Sequence, residues 1–479
     1  MSRLDHEIRR LQKAMDHLTN ERRRLEGLLN EYRSLTAPIR RIPPEMLSEI
    51  FLRCLVDGSD ILNVGEAPLL LSFVCSRWRT VTISTPRLWS TIRVYNPWCT
   101  STTVEMIKTW LLRSSNSPLT LAIDAEYIED DASIRPCVDE IIPHCRRWKD
   151  VEFHFGASLF STFNAVAGSL PLLQRLHIDT LDTVYPFLDT FKVAPMLRDV
   201  TFAYNTSPTS FHLPWQQLKQ CNALHIPAKD CLYLVRRSPN LVYCRLECLP
   251  DENIFPDLAE TPVLRTHLRT LKLIVEVRVD MANILDSISS PALDELEIEQ
   301  LSHLQVVWTQ DHLSNFLTRS CCTIRCIRLY DIVMTSGELI VCLQGLPLLA
   351  DLEVREVLQL MAVAYPITSE VLDRLTLGNL KSGKNLSVLV PKLKHLTLSA
   401  HFELDGQAVI DMVESRRGLT NLKSNDSVNE NAQRAESLES VSLNFYREIG
   451  PDAIAQMTLW RDEGLELDVK VGGKCVVKS

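Results

Sequence analysis

The sequence predicts an α/β fold in three parts: a long N-terminal helix, a small helical module, and a stack of helix–strand units on a parallel sheet. Three observations predict it. Leu4, Leu11, Leu18, Leu25 and Tyr32 recur every seven residues in a proline-free segment. Two short apolar stripes at helical spacing lie between residues 40 and 92. From Trp148 to Leu393 an apolar triplet at positions x, x+3 and x+5 returns every 21–31 residues, and the last gap, to Leu438, is about two repeats.

The first part spans residues 1–37. With the leucines at a, the d positions hold Ala14, Leu28 and Leu35, but also Glu7 and Glu21, which weaken the seam. Ile8, Met15 and Leu29 widen the stripe to one side. The pattern predicts a coiled-coil-like helix of about 30 residues. Pro38 ends it, because the residue before a proline is pushed out of the helical region. Residues 4–35 would serve self-association, dock on the chain's own body, or stand solvated.

The second part spans residues 38–92. Pro43 and Pro44 suit a first helical turn, where an N–H has no intrahelical partner. Leu47, Ile50, Phe51 and Cys54 then fall on one helix face. Gly58 and Ser59 break that helix, and Leu70, Phe73, Val74 and Arg77 form a second stripe beside Cys75 and Trp78. So short a segment buries little surface alone, so its apolar faces predict a partner.

Ile42–Phe51 (IPPEMLSEIF) followed by Leu69–Arg79 (LLLSFVCSRWR) resembles the F-box, and Ser84–Ser90 (STPRLWS) resembles its forms abundant in mushroom-forming fungi. Ile42 stands where Leu is usual, and the loop Asp57–Ala67 is longer than in the simplest members. The resemblance implies a three-helix module that binds the Skp adaptor and, through it, a cullin scaffold. The matching positions are Pro43, Pro44, Leu47, Ile50, Phe51, Val74, Cys75 and Trp78. The apolar ones among them also suit the module's own core.

The third part spans residues 93–479. Thr103–Arg113 and Ser133–His144 read as helices, Leu119–Ile123 and Trp148–Phe155 as strands. Triplets start at Trp148, Leu173, Leu197, Leu218, Leu241, Leu268, Leu293, Ile324, Leu349, Leu372, Leu393 and Leu438. Pro171, Pro195, Pro239, Pro291, Pro347 and Pro391 stand two residues before a start, where proline stops a helix and sets an extended entry. The units resemble leucine-rich repeats, as in Leu268–Leu273 (LRTLKL) and Leu393–Leu398 (LKHLTL), but lack the usual Asn after the last apolar position. The expected fold is an irregular solenoid with one parallel strand per unit, and residues 424–437 a mobile polar loop.

Strand alternation fixes the faces. Leu176/Ile178, Leu271/Leu273, Leu296/Ile298, Leu352/Val354, Leu375/Leu377 and Leu396/Leu398 are predicted to point inward. Tyr243, Arg245, Lys272, Glu295, Glu297, Arg328, Asp351, Glu353 and Arg374 are predicted to line the concave face as a substrate surface. In this reading Leu296→Ala costs about 2–5 kcal/mol and Glu297→Ala within about 0.5.

Composition narrows the function. The net charge is −9, and the exposed strand residues mix signs, which argues against nucleic acid. No phosphate-loop, nucleophile-elbow or zinc-protease motif occurs, and no pair of the fourteen cysteines is spaced C-x-x-C. No metal, cofactor or catalytic group is expected, and the cysteines are expected as reduced, mostly buried thiols. No apolar run is long enough for a membrane helix, and the first residues do not resemble a secretory signal. These readings place the chain in the cytoplasm or nucleus. Taken with the resemblance, they describe a non-catalytic adaptor that recruits a protein substrate to an SCF-type ubiquitin ligase. The alternative is an interaction scaffold acting outside any ligase.

Overall fold

The structure is a computed structural model. It describes residues 2–36, 38–95, 100–125, 133–180, 188–204, 206–249, 263–275, 278–300, 308–356, 365–377, 389–400, 406–417, 435–445 and 450–478. The chain divides into two compact units, residues 1–93 with 105–117, and residues 94–104 with 118–479.

In the first unit, α1 (Ser2–Thr36) stops just before Pro38, as the sequence predicts. Then come α2 (Pro44–Leu52), α3 (Leu69–Val74) and α4 (Ser76–Ile83). The second predicted stripe is thus two helices. Cys75 is extended between them, and its Sγ accepts the Trp78 N–H at 3.5 Å as the cap of α4. Leu47 and Phe51 are fully buried, and Phe51 packs on Trp78 with ring centroids 4.8 Å apart. The Arg77 guanidinium donates to the carbonyls of Arg40 and Ile42, which ties α4 to the segment before α2. Strand β1 (Thr91–Val94) follows, and the Arg93 carbonyl accepts the Ile61 N–H at 3.0 Å.

The unit does not end at residue 92. Most of α5 (Ser101–Arg113) belongs to it. Trp110 meets the fully buried Trp89 edge-on at 4.8 Å, and the Arg113 guanidinium lies 4.3 Å over the Trp89 ring. Sequence periodicity marks α5 as a helix but carries no information about which core it joins.

The second unit is built on a long, mostly parallel sheet. Its strands run β2 (Leu119–Asp124), β3 (Trp148–Phe155), β4 (Arg175–Thr180), β5 (Asp199–Tyr204), β6 (Gln220–Pro227) and β7 (Tyr243–Leu249). β8 (Leu264–Arg265) pairs apart from the main sheet with β10 (Ile288–Ser289). β9 (Thr270–Val275), β11 (Glu295–Gln300), β12 (Cys326–Tyr330), β13 (Asp351–Arg355), β14 (His395–Ala400), β15 (Ser440–Phe445) and β16 (Glu466–Val471) continue it in chain order. β17 (Lys474–Lys478) closes the series and is antiparallel to β16. Helices fill the crossovers: α6 (Arg135–Ile141), α7 (Ala228–Arg237), α8 (Arg278–Ser287), α9 (Gln310–Ser320), α10 (Ser336–Gln344), α11 (Ser369–Leu375), α12 (Gly406–Arg417) and α13 (Pro451–Asp462). Short 3-10 helices serve between β3 and β4 and between β5 and β6.

The predicted register holds across neighbours. Leu296 pairs with Leu271 and Ile327, Ile327 with Leu352, and Leu352 with Leu396. Ile298 heads a second column through Leu273, Leu329, Val354 and Leu398, and every residue named in the two columns is at most 3% exposed. Toward β3 the second column includes Phe202 and Phe153, and Phe163 from the following 3-10 segment packs on Phe153 at 4.7 Å. Backbone hydrogen bonds extend the ladder at the entry to the strands. One residue before most strands of the sheet, an N–H reaches the equivalent carbonyl of the preceding unit. Examples are Arg269 to Val242 at 2.8 Å, Asp294 to Arg269 at 2.9 Å, and Arg325 to Asp294 at 2.8 Å.

The unit at Leu372 departs from prediction. Val371, Leu372 and Leu375 are buried on α11, Leu377 is only half-buried outside any strand, and β13 pairs directly with β14. Helical spacing places Leu372 and Leu375 on one buried face, and the repeat pattern also requires both to be apolar, so the triplet alone does not separate the two. Arg374 therefore lies on a helix and leaves the predicted concave set. β16 and β17 were not anticipated. Residues 424–434 of the predicted mobile loop lie outside the described residues.

Candidate functional site

In the first unit the candidates sort by burial. Leu47 and Phe51 lie in the core of the unit. Pro43, Pro44, Ile50, Val74 and Cys75 are exposed, and Trp78 is half-buried beneath them in the Phe51 contact. Sequence reading missed part of the surface. On α2, Met46 (59% exposed) lies one turn from Ile50 (41%). On α3, Leu70 (47%), Phe73 (63%) and Val74 (55%) share one face at i, i+3 and i+4. Phe73 was seen only as part of a stripe, because periodicity finds the apolar face of a helix without saying whether that face meets core or solvent. A helix with an open phenylalanine and two aliphatic neighbours is an unsatisfied apolar surface.

On the sheet of the second unit, the outward residues form rows of complementary charge. Lys272, Glu297, Arg328 and Glu353 stand opposite one another on β9, β11, β12 and β13, alternating in sign. Lys272 Nζ donates to Glu297 at 2.8 Å, and Arg328 lies 3.8 Å from Glu297 and 3.6 Å from Glu353 while also pairing closely with Glu295. Arg355 reaches Glu353 at 3.6 Å and covers the Tyr330 ring at 4.5 Å. Burial, then the hydrogen bond to Glu353, pushes the Tyr330 hydroxyl above its ordinary pKa. Arg245 pairs with the buried Glu247, Tyr243 is half-buried, and Asp351 lies 3.8 Å from His395. The sign mosaic thus has a cause within the sheet: strands side by side bring opposite residues within reach, and like charges there would repel. Glu297, predicted as solvated, is 8% exposed because Lys272 and Arg328 cover it.

Glu299 continues this face. Burial, then Asp331 and Glu297, raises its carboxyl pKa. A raised carboxyl pKa means the folded state holds its proton more tightly than the unfolded state. Stability is therefore lost as pH rises from the unfolded to the folded pKa, and at neutral pH the charge is a net cost. Glu299→Gln is expected to raise the melting temperature at pH 7, with the gain fading toward pH 4. Paired melts at the two pH values check this, and a lower melting temperature for the variant at pH 7 would refute it.

Imidazoles cluster toward the first strands. His154 on β3 stands between Asp124 at 3.4 Å and Asp179 at 3.3 Å, from β2 and β4. His177 lies 3.6 Å from Glu152, and burial holds it below the ordinary imidazole pKa. At the far ends of β5 and β6, Tyr204 stacks on His225 at 5.4 Å, and His225 reaches Glu247 at 3.4 Å. Both residues have positive φ, and the pairing of β6 with β7 shifts register between Ala223 and Ile226. That geometry left no signal in the sequence.

The thiols around Cys231 are fully buried. Burial pushes Cys221 up to about 12 and raises Cys231 and Cys244 as well, and Cys231 Sγ lies 3.6 Å from Cys248 Sγ. Cys137 is disulfide-bonded, contrary to the all-reduced expectation, while twelve cysteines among the described residues are free. Among the described residues no His, Cys, Asp and Glu cluster suits a metal ion, and no helix is long and apolar enough to cross a membrane. No protein-family model matches the chain, and no curated protein matches it.

Proposed function

We propose that this chain is the substrate-recruiting adaptor of an SCF-type ubiquitin ligase, working in the cytoplasm or nucleus without catalysing a step itself. The helical unit takes the Skp adaptor, which carries the cullin scaffold, and the outward face of the sheet takes a protein substrate. The observation that carries the reading is the open apolar face of Leu70, Phe73 and Val74 on α3, with Met46 and Ile50 on α2. These residues fall inside the segment that resembles an F-box, and each is at least 41% exposed. A protein partner that buries them gains the apolar burial that the isolated chain lacks. The substrate side rests on the ordered, mixed-sign sheet face, which a protein with complementary charges fits better than a polyanion does.

The test is calorimetric titration of a purified Skp adaptor into the full chain. Phe73→Ala is expected to weaken binding by about 2 kcal/mol or more, as for a central apolar anchor. The variant is expected to fold normally, because the side chain is exposed. Failure of the unaltered chain to bind would remove the ligase reading and favour a scaffold outside any ligase. Unchanged affinity for Phe73→Ala would remove α3 from the interface.

A further inference from the structure

We infer that α1 is one strand of a parallel two-stranded coiled coil formed with a second copy of this chain. Its side chains from His6 to Leu29 are exposed or nearly so, including Ile8 (51%), Leu11 (63%), Met15 (70%), Leu18 (68%), Leu25 (56%) and Leu29 (54%). Read as the exposed seam, these positions and Arg22 alternate by three and four residues without a break. The better heptad therefore puts Leu11, Leu18 and Leu25 at d and Ile8, Met15, Arg22 and Leu29 at a. Glu7 and Glu21, which spoiled the register read from leucine spacing alone, move out of the seam to g.

The charges choose the occupant and its direction. Leucine at d with a β-branched residue among the a positions suits two parallel strands, and a single polar a residue fixes register. Arg22 is that residue. In a parallel pair, the hole that receives an a side chain is partly formed by the g residue just before it on the other strand. Arg22 of each copy therefore meets Glu21 of the other, twice per dimer. Glu26 lies 3.5 Å from Arg22 on the same helix and adds a second carboxylate at that level. In an antiparallel pair that overlaps along the full helix, Arg22 would face Leu18 rather than a second Arg22, and the paired Arg22 layer would not form. A helix of 35 residues is about 52 Å long, enough for about five heptads.

The test is sedimentation equilibrium of the full chain, with charge exchange at the Arg22 layer. The expected mass is twice the 54.5 kDa of one chain. Leu18→Asp is expected to give single chains with unchanged circular dichroism outside the helical signal of α1. Arg22→Glu and Glu21→Arg each place like charges in the layer, and each is expected to weaken self-association about tenfold. Mixed one to one, the two variants regain opposite charges at both contacts, and association close to that of the unaltered chain is expected. A single-chain mass at all concentrations, a threefold mass, or a mixture no tighter than either variant would overturn the inference.

Discussion

Replacing Arg416 with alanine is expected to destabilise the second unit by about 3–5 kcal/mol, the scale on which a buried charge or its partners are left uncompensated. Arg416 is fully buried near the end of α12. Its Nε donates to the Leu375 carbonyl at 2.8 Å, Nη1 to Val390 at 3.1 Å and Nη2 to Leu389 at 2.8 Å. Burial pushes its pKa down to about 10, so the group is still cationic at neutral pH. The side chain sits where the repeat fails. Leu375 ends α11, and its carbonyl has lost the next helical turn. Val390 has positive φ just before the entry to β14. One planar guanidinium satisfies all three carbonyls, in directions that an ammonium on a flexible stem does not reproduce. Arg416→Lys is therefore expected to recover only a minor part of the loss. Chemical denaturation of the three proteins checks this, and an alanine variant within about 1 kcal/mol of the unaltered chain would show that the carbonyls find other donors.

Truncating Leu296 to alanine is expected to cost about 2–5 kcal/mol, because the side chain is fully enclosed and its neighbours relax only in part. It stands between Leu271 and Ile327 in register, so the cavity would open in the middle of a column. The neighbouring Glu297→Ala is expected to cost about 1 kcal/mol, more than a solvated sheet residue would, since Lys272 and Arg328 both lose an anion. Denaturant midpoints of both variants decide it. Equal costs would mean that the two faces of β11 are packed alike.

What could be read from the residues follows from the kind of signal each leaves. The inward columns were legible because a period of two admits a single register once Leu296 and Ile298 must both be buried. Leu372 was misread because x and x+3 share a face in a helix and the difference lies in how the chain continues. Arg416 was invisible, since a buried arginine among carbonyls looks in sequence like any basic residue ending a helix. Leu47 and Phe73 carried equal apolar weight, yet one closes a core and the other faces solvent. Composition does not distinguish them; their burial in the folded unit does.

The reversal at β17 has a consequence for solubility. A row of parallel strands presents, at its outer margin, unpaired amides and carbonyls that invite the next strand from any neighbouring molecule. Here that margin is a hairpin arm. It carries Lys474 and Lys478 at its two ends, and pairing with β16 is irregular between Val469 and Lys470. A stray strand meets ammonium groups on a short, bent template. The fold's repetitive backbone pattern, which would otherwise propagate between molecules, is interrupted along this margin by two lysines and one bulge.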